Sequence, residues 1–307
     1  MSPETRLWWS LLIAISLANL VAWALWGAWL HRRHAALRGR RRSARDDAAL
    51  RQDRLVWVLA GVYAVGCAFR SALPIFDVPR LCLVDSALAR VFVGRAVATL
   101  AELALVAQWT LLLGALARGV GSRAGRAVAS LLLPVIVVAE VFSWSAVLRQ
   151  WNLGHVVEES LWALAAAAVV ACLAAILPRC RPPLRRGVGV AMVFGVGYLA
   201  FMLAVDIPMY WAREAADHAA GHALVGWNAG LAQTLARCVV SGRWEDWRSE
   251  APWMTLYFGP AVWSSLLLVG APALLRRGLP SRPGRPSADA APGPARAGAR
   301  WRVESRP

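Results

Sequence analysis

Lysine is absent from this 307-residue chain, so all 34 of its basic residues are arginines. Without a lysine amine, the chain cannot form the Schiff bases on which retinal and pyridoxal phosphate chemistry depends. Only five cysteines occur, and none are spaced as C-x-x-C, so the sequence indicates no metal or redox framework. We therefore expect no cofactor and no metal.

Charge is also scarce: 17% of residues are charged and 58% are hydrophobic. Soluble domains carry about 25% charged and about 45–50% apolar residues. The apolar residues fall into seven blocks of about 20 or more, the length that crosses a bilayer core. This pattern excludes a soluble single-core domain, a fibrous chain and a disordered chain. It predicts an all-α, polytopic integral membrane protein whose first partner is the lipid bilayer.

Seven transmembrane helices are predicted. The first block could be a secretory signal, but it is too long and no small-residue cleavage site precedes His31, so we interpret it as a retained helix. Residues 278–307 are rich in proline, glycine, alanine and arginine, a composition that cannot bury a core. We predict a transmembrane domain over 1–277 and a disordered basic tail over 278–307. The spans cover about residues 7–30, 55–76, 91–117, 127–148, 157–177, 187–211 and 253–275.

The distribution of arginine orients these spans. Cytoplasmic loops carry the excess of arginine, and 24 arginines lie in segments 31–54, 118–126, 179–186 and 276–307, against eight in the loops of the other side. We predict that the amino terminus is outside and the carboxyl terminus cytoplasmic, in a bacterial cytoplasmic membrane. The basic loop is interpreted as a topology determinant lying against anionic lipid, and no nucleic-acid partner is expected.

Ionisable residues inside the predicted spans are the main functional signal. A charge near the bilayer centre costs about 2.5–3.5 kcal/mol on insertion scales. Neighbouring spans run in opposite directions, yet a rise of about 1.5 Å per residue places every one of these charges in the outer half. Spans 2, 3, 4 and 6 carry Arg70, Arg95, Glu102, Glu140 and Asp206, and Glu158 and Glu159 open span 5.

Aromatic residues follow three of these carboxylates by four positions, which places each pair on one helix face. Pro208 comes shortly after Asp206, and it disrupts the helical ladder and frees a carbonyl that a polar group must satisfy. Tyr257 faces the same level from span 7. The predicted ligand-binding residues are Arg70, Arg95, Glu102, Glu140, Trp144, Glu158, Trp162, Asp206, Tyr210 and Tyr257.

Two interpretations of the buried charges compete: a network that neutralises itself and sets helix order, or a one-sided site open to the outer face. Helix association in lipid needs only small residues and a few hydrogen bonds. Five intramembrane charges plus Gln108 exceed that need, which favours a site. The ligand would be small and polar or amphiphilic, with Arg70 and Arg95 contacting an anionic group, since guanidinium suits carboxylate and phosphate.

Two other functions stay open. A membrane-embedded enzyme could act on lipid or isoprenoid, with Glu140 or Glu102 as general acid or base opposite Asp206. A non-catalytic scaffold would use the charges only to lock helices. The leucine-rich and alanine-rich inner halves of spans 3 to 6 argue against through-passage of a substrate.

The outer loop over 212–252 carries three further signals. Apolar residues at three- and four-residue steps predict an amphipathic helix, from Leu224 and Trp227 to Val239. The spacing of Asp217, His218 and His222 can bind zinc, but the loop offers no third convincing ligand. Cys82 and Cys238 are the only cysteines predicted on the oxidising outer side, so we predict a disulfide between them.

Seven spans with an outside amino terminus resemble, in topology alone, rhodopsin-like receptors and seven-span lipid hydrolases of the alkaline-ceramidase type. The absence of lysine excludes the retinal linkage of the first group. The second resemblance implies a zinc site of histidine and aspartate within the spans, and this chain departs from it because no predicted span contains a histidine.

Overall fold

A computed structural model describes residues 1–36, 44–236 and 238–279. Six of its helices are long and apolar enough to cross a membrane, or seven if a last, bent pair is one span. Large apolar side chains such as Leu7, Leu100 and Leu164 stand exposed around the bundle, on surfaces that lipid would cover. The prediction of an all-α membrane protein is confirmed. The predicted tail lies outside the described residues from 280 onward.

The helices run in chain order through the bundle, and three irregular segments interrupt them. A 3₁₀ turn, Leu177–Arg179, follows α5, and π-helical segments join α6 to α7 (Met202–Asp206) and α10 to α11 (Tyr257–Ala261). The helices are α1 Pro3–Ala36, α2 Ala44–Ala72, α3 Val91–Gly119, α4 Arg123–Arg149, α5 Asn152–Ile176, α6 Pro182–Phe201, α7 Ile207–Ala219, α8 Trp227–Leu235, α9 Trp244–Trp247, α10 Ala251–Leu256, α11 Val262–Leu268 and α12 Ala271–Gly278.

A small three-stranded sheet marks one end of the bundle, called the sheet end below. Strand β1 (Ile75–Phe76) pairs antiparallel with β2 (Leu81–Cys82), which pairs parallel with β3 (Val239–Val240). A disulfide joins Cys82 to Cys238, the pair that the sequence predicted, and so links the α2–α3 loop to the segment after α8. The sheet end is thus a covalently linked cap on the helices.

Contacts made by Arg80 and by Gly230 fasten this cap to α4. The Arg80 guanidinium donates to the carbonyls of Val147 and Leu148 at 3.1 Å each, where a cation offsets the negative end of the helix dipole. Gly230 of α8 packs so closely on Leu148 that an added Cβ would lie 1.9 Å from its carbonyl oxygen. The predicted amphipathic helix is therefore present as α8, although Val239 lies in a strand.

Helix ends differ from the predicted spans in ways that matter for the site. Helix α2 ends at Ala72 instead of about residue 76, since a proline at 74 disfavours helical geometry in the residue before it. Helix α5 begins at Asn152 and α7 continues to Ala219, each several residues beyond its predicted span. As a result His155 and Arg213 belong to helices that extend into the bundle.

Helices α1 to α6 pack in sequence, each against the next, while α11 packs against α1, α2 and α3. Helix α12 bends back to contact α6 at the end opposite the sheet. Within the described ranges, α6 makes no extensive contact with α10 or α11. A gap is therefore left between α6 and the α10–α11 segment, on the side of α12 that faces the sheet end.

Candidate ligand cavity

A cavity of about 520 Å³ lies inside the bundle and extends to this gap. Ligand pockets in proteins usually measure roughly 300–1,000 Å³. Side chains from α2, α3, α5, α6, α7 and α10, together with both π-helical segments, form its walls. Isolated π-helical turns inside α-helices are frequent at functional sites because they reposition side chains, and here they carry Asp206 and Tyr257.

One wall is built around Arg95, in the second turn of α3. Its Nη2 lies 2.8 Å from a carboxylate oxygen of Glu102, 2.8 Å from one of Glu140 and 3.5 Å from one of Glu158. We call these four residues the Arg95 cluster. All four are buried, and they join α3, α4 and α5. Removing one member of a buried ion network leaves the other charges unpaired, which strongly destabilises the fold. The cluster therefore ties the three helices together.

Neutral side chains complete the cluster. The hydroxyl of Thr99 donates to Glu140 at 2.6 Å and accepts from the indole nitrogen of Trp144 at 3.1 Å. The Tyr257 hydroxyl donates to the second oxygen of Glu102 at 2.9 Å. The seven-residue step from Arg95 to Glu102 places both on one face of α3, and the π-helical segment brings the tyrosine to them.

Three of these carboxylates have the spacing of a metal site. Ligand atoms of Glu102, Glu140 and Glu158 lie within 4.8 Å of one another. The Arg95 guanidinium, however, already stands among them and contacts each at 3.5 Å or less. A cation is thus supplied by the protein itself at the place where a metal ion would bind.

Arg70 is engaged with the loop that follows its own helix. Its two terminal nitrogens donate to the carbonyls of Gly94 and Ile75 at 3.2 and 3.1 Å, and it lies 3.8 Å from Asp77. These contacts connect the end of α2, strand β1 and the start of α3. Both guanidinium groups already contact carbonyl or carboxylate oxygens of the protein, which disfavours an anionic ligand group on this pair.

Asp206 presents the opposite situation. It lies in the π-helical segment before α7, is 1% exposed, and lines the cavity. Neither of its carboxylate oxygens has a hydrogen-bond partner among the residues that the structure describes. A buried polar group without a partner costs free energy, and a carboxylate more than a neutral group. Among the described residues, Asp206 is thus a cavity-lining carboxyl group with both oxygens available for hydrogen bonds.

His155 is a site residue that sequence reasoning missed. Its Nδ1 lies 2.8 Å from Glu158, and its ring stacks on Tyr210 at 4.7 Å between centroids. The predicted span began at residue 157, so this histidine was assigned to a loop, whereas α5 begins at Asn152 and buries it. Its three-residue step to Glu158 was the signal available in the sequence.

A second ion pair, between Arg213 and Glu250, forms the wall of the cavity at the sheet end. Arg213 of α7 lies 2.5 Å from Glu250, and its guanidinium stands over the rings of Phe76 and Tyr210 at 5.1 and 5.4 Å. The sequence placed both charged residues in a loop. Because α7 continues past its predicted end, it carries Arg213 across the top of the cavity.

The predicted site residues divide into two groups. Arg70, Arg95, Glu102, Glu158, Trp162, Asp206, Tyr210 and Tyr257 line the cavity. Glu140 and Trp144 do not, because they lie behind Arg95 and contact Thr99. The polar and aromatic lining residues that the sequence did not assign to the site include Tyr63, Asp77, Trp109, His155, Glu159, Tyr198, Arg213, Glu250 and Trp253.

Away from these groups the cavity is apolar and reaches the outer surface of the bundle. On α6 its lining includes Val193, which is 73% exposed, and the exposed Gly197. Across the gap the exposed lining residues are Leu256 and Pro260. Since the same residues line the cavity and face outward, the cavity opens sideways between α6 and the α10–α11 segment.

The cavity does not continue to the opposite end of the bundle. The fully buried Gln108 donates to the carbonyls of Ser265 and Val56 at 3.0 and 3.3 Å and accepts from the Ser265 hydroxyl at 2.8 Å. Beyond this amide an apolar core that includes Leu113, Leu116 and Ile176 fills the bundle. Within the described residues, a packed apolar core thus separates the polar groups of the cavity from the end opposite the sheet.

Comparisons with protein-family models, with curated proteins and with solved structures found no match to this chain. The chemistry of the cavity is thus the basis on which a function can be assigned.

Proposed function

We propose that this protein binds an amphiphile, with the polar group of the ligand at the sheet end of the cavity and its apolar part along α5 and α6. The observation that carries the proposal is the side opening between α6 and α10–α11, which joins a polar cavity to a surface that lipid covers. A membrane amphiphile could enter there without leaving the bilayer.

The proposal includes seven spans with the sheet end on the outer side. Counting the bent α10–α12 segment as one span gives that number. Arginines gather at the end away from the sheet, as the positive-inside rule requires of the cytoplasmic side: Arg118, Arg123 and Arg126 where α3 meets α4, and Arg179 and Arg181 after α5. The disulfide Cys82–Cys238 fits an oxidising compartment. The protein would then reside in a bacterial cytoplasmic membrane with its site facing outward.

A binding role suits this cavity better than through-passage of a solute. Transporters need polar groups on both halves of the pathway, and their sites usually lie near the bilayer midplane. Here the polar lining lies on the sheet side of Gln108, and a packed apolar core follows.

A membrane-embedded acid–base enzyme is the second candidate, favoured by the hydrogen-bonded pair His155–Glu158 in the same cavity as Asp206. Such pairs can move a proton to or from a bound substrate. Glu140 does not line the cavity, so in this candidate function His155 and Asp206 take the roles of general acid and base. A time-dependent change in a bound lipid, abolished by His155→Gln, would identify this activity by mass spectrometry.

A scaffold role alone accounts for the Arg95 cluster but not for the cavity beside it. Charges that only lock helices would be fully paired and closely packed. Asp206 is unpaired and lines about 520 Å³ of space.

The test fills the cavity and measures what the protein carries. Ala166 lines the cavity, whereas Ala167 is exposed on the same helix and does not. Protein purified in mild detergent should retain a stoichiometric lipid or other amphiphile by mass spectrometry, and Ala166→Trp should lose it while Ala167→Trp keeps it. Equal retention by both variants, or no bound amphiphile in the unmodified protein, would contradict the proposal.

A further inference from the structure

The acidic and basic groups that line the cavity are not equal in number. Among the residues that the structure describes, six carboxyl groups and three guanidinium groups line it. Arg70 lies beside Asp77, Arg95 beside Glu102 and Glu158, and Arg213 beside Glu250. The remaining acids are Glu159 and Asp206, and neither has an ion pair among the described residues. An anionic ligand would add to this excess, whereas a cationic one would reduce it.

The basic side chains that share the cavity with Asp206 are bound to other residues. His155 and Arg213 line the same cavity, but the imidazole is hydrogen-bonded to Glu158 and the guanidinium to Glu250. Neither donates a hydrogen bond to Asp206, whose two buried oxygens have no partner among the described residues. What is missing at this position is therefore a positively charged hydrogen-bond donor.

The surroundings of Asp206 suit such a group. Aromatic rings of Tyr210, Tyr198 and Trp162 line the same cavity, and the faces of aromatic rings attract cations. The apolar lining from Val169 to Phe194 continues from there to the side opening. A cationic head and a hydrocarbon chain would thus each meet matching chemistry within one cavity.

We propose that the ligand of this cavity is an amphiphile whose head group is a protonated amine, with the ammonium donating hydrogen bonds to Asp206 and the chain lying toward the opening between α6 and α10. This inference rests on the proposed function and specifies its head group. It replaces the anionic group that the sequence suggested for Arg70 and Arg95, because both arginines are already engaged.

The experiment uses the full-length protein in phosphatidylcholine nanodiscs with tritiated dodecylamine as the probe, and the Ala166→Trp variant supplies the background for partitioning into lipid. Unlabelled dodecylamine should compete at concentrations at least about tenfold lower than dodecanol or dodecanoate, since loss of a buried charge partner carries an effect of this size or larger. Dodecyltrimethylammonium should compete less well than dodecylamine because it has no N–H donor. Methylamine, which lacks the chain, should not compete in this range.

The matched variants are Asp206→Asn, Asp206→Glu and Asp217→Asn. Asp206→Asn keeps the size of the side chain and breaks no hydrogen bond, so it should fold, and it should abolish the preference for dodecylamine over dodecanol. Asp206→Glu should keep that preference. Asp217→Asn changes an acid at the same end of the bundle that does not line the cavity, and it should bind like the unmodified protein.

The outcomes separate the two proposals. If dodecanol or dodecanoate binds in a manner that Ala166→Trp abolishes, and dodecylamine binds no better, the amine assignment is overturned while amphiphile binding stands. A preference for dodecylamine that survives Asp206→Asn, or methylamine competing as well as dodecylamine, also overturns it. If no dodecyl compound shows binding that depends on residue 166, the proposed function itself fails.

Discussion

Three members of the Arg95 cluster line the same cavity as Asp206, and the cluster and Asp206 differ in how their buried ionisable groups are partnered. In the cluster, one guanidinium contacts three carboxylates, and hydroxyl groups of Thr99 and Tyr257 bond to two of them. Asp206 is buried as deeply and has no hydrogen-bond partner among the described residues. A buried charge with its partners ties helices together, whereas we propose that the one without them binds the ligand.

This comparison distinguishes two roles that an ionisable residue can have in a membrane span. Sequence alone treats Arg95, Glu140 and Asp206 alike, because each is a charge inside an apolar helix. In the structure Glu140 contacts Arg95 and Thr99 and does not line the cavity that Asp206 lines. If the distinction is physical, substitutions in the cluster should lower stability and substitution of Asp206 should not.

The largest effect is expected for Arg95→Ala. It leaves Glu102, Glu140 and Glu158 buried without their shared cation, and breaking a buried ion pair from one side costs about 3–5 kcal/mol. The free energy of unfolding, followed in an SDS titration, should fall by about this amount. Arg248→Ala, at an exposed position of the sheet end, is the control and should change it little. An unchanged stability for Arg95→Ala would show that the cluster does not tie the helices.

A smaller loss is expected for Thr99→Val, which keeps the shape of the side chain and removes the hydroxyl. Glu140 loses a donor and the Trp144 indole loses its acceptor. Two interhelical bonds of this kind should together contribute about 1–3 kcal/mol. The same titration measures it, with Thr110→Val, whose hydroxyl has no partner in the described structure, as the control. Equal behaviour of the two variants would contradict the prediction.

Tyr257→Phe should have a weaker effect still. It removes one hydrogen bond, from the tyrosine hydroxyl to Glu102, while the ring keeps its stacking on Trp253 at 5.3 Å. Single interhelical hydrogen bonds in membranes contribute about 0.6 kcal/mol on average and up to roughly 1.7 kcal/mol. A loss in unfolding free energy larger than that of Thr99→Val would reverse the expected order.

Asp206→Asn is expected to have the smallest effect on the free energy of unfolding, and any change should be opposite in sign to the losses predicted above. No hydrogen bond is lost, and an unpaired buried charge is removed, so the protein without ligand should be as stable as the unmodified chain or more stable. Thermal unfolding in detergent, after lipid has been removed, measures this. A loss as large as that of Arg95→Ala would mean that Asp206 is a member of the structural network.

Much of the architecture could be predicted because it follows from composition along the chain. Apolar blocks of bilayer length define the helices, and proline explains where two of them deviate, at the end of α2 and in the π-helical segment before α7. The disulfide partners followed from which side each cysteine was expected to occupy, and the structure joins Cys82 to Cys238. The depth of the charges along each helix also placed eight predicted residues in one cavity.

The pairing within the site could not be predicted, because it depends on helix rotation and on exact helix ends. A shift of five residues at the start of α5 moves His155 from a loop into the cavity. Rotation of α4 places Glu140 and Trp144 behind Arg95, although the four-residue spacing that unites them resembles that of Asp206 and Tyr210. Spacing identifies residues that share a face, but not what that face contacts.

The sequence by itself determined that this is a helical membrane protein with charges gathered toward one end, because the solvation cost of lipid acts on each residue according to its type and depth. Only the tertiary structure decided which charges are neutralised. Partner choice depends on distances of a few ångströms between helices that are far apart in the chain. Those distances give Arg95 three carboxylates and leave Asp206 without a hydrogen-bond partner among the described residues.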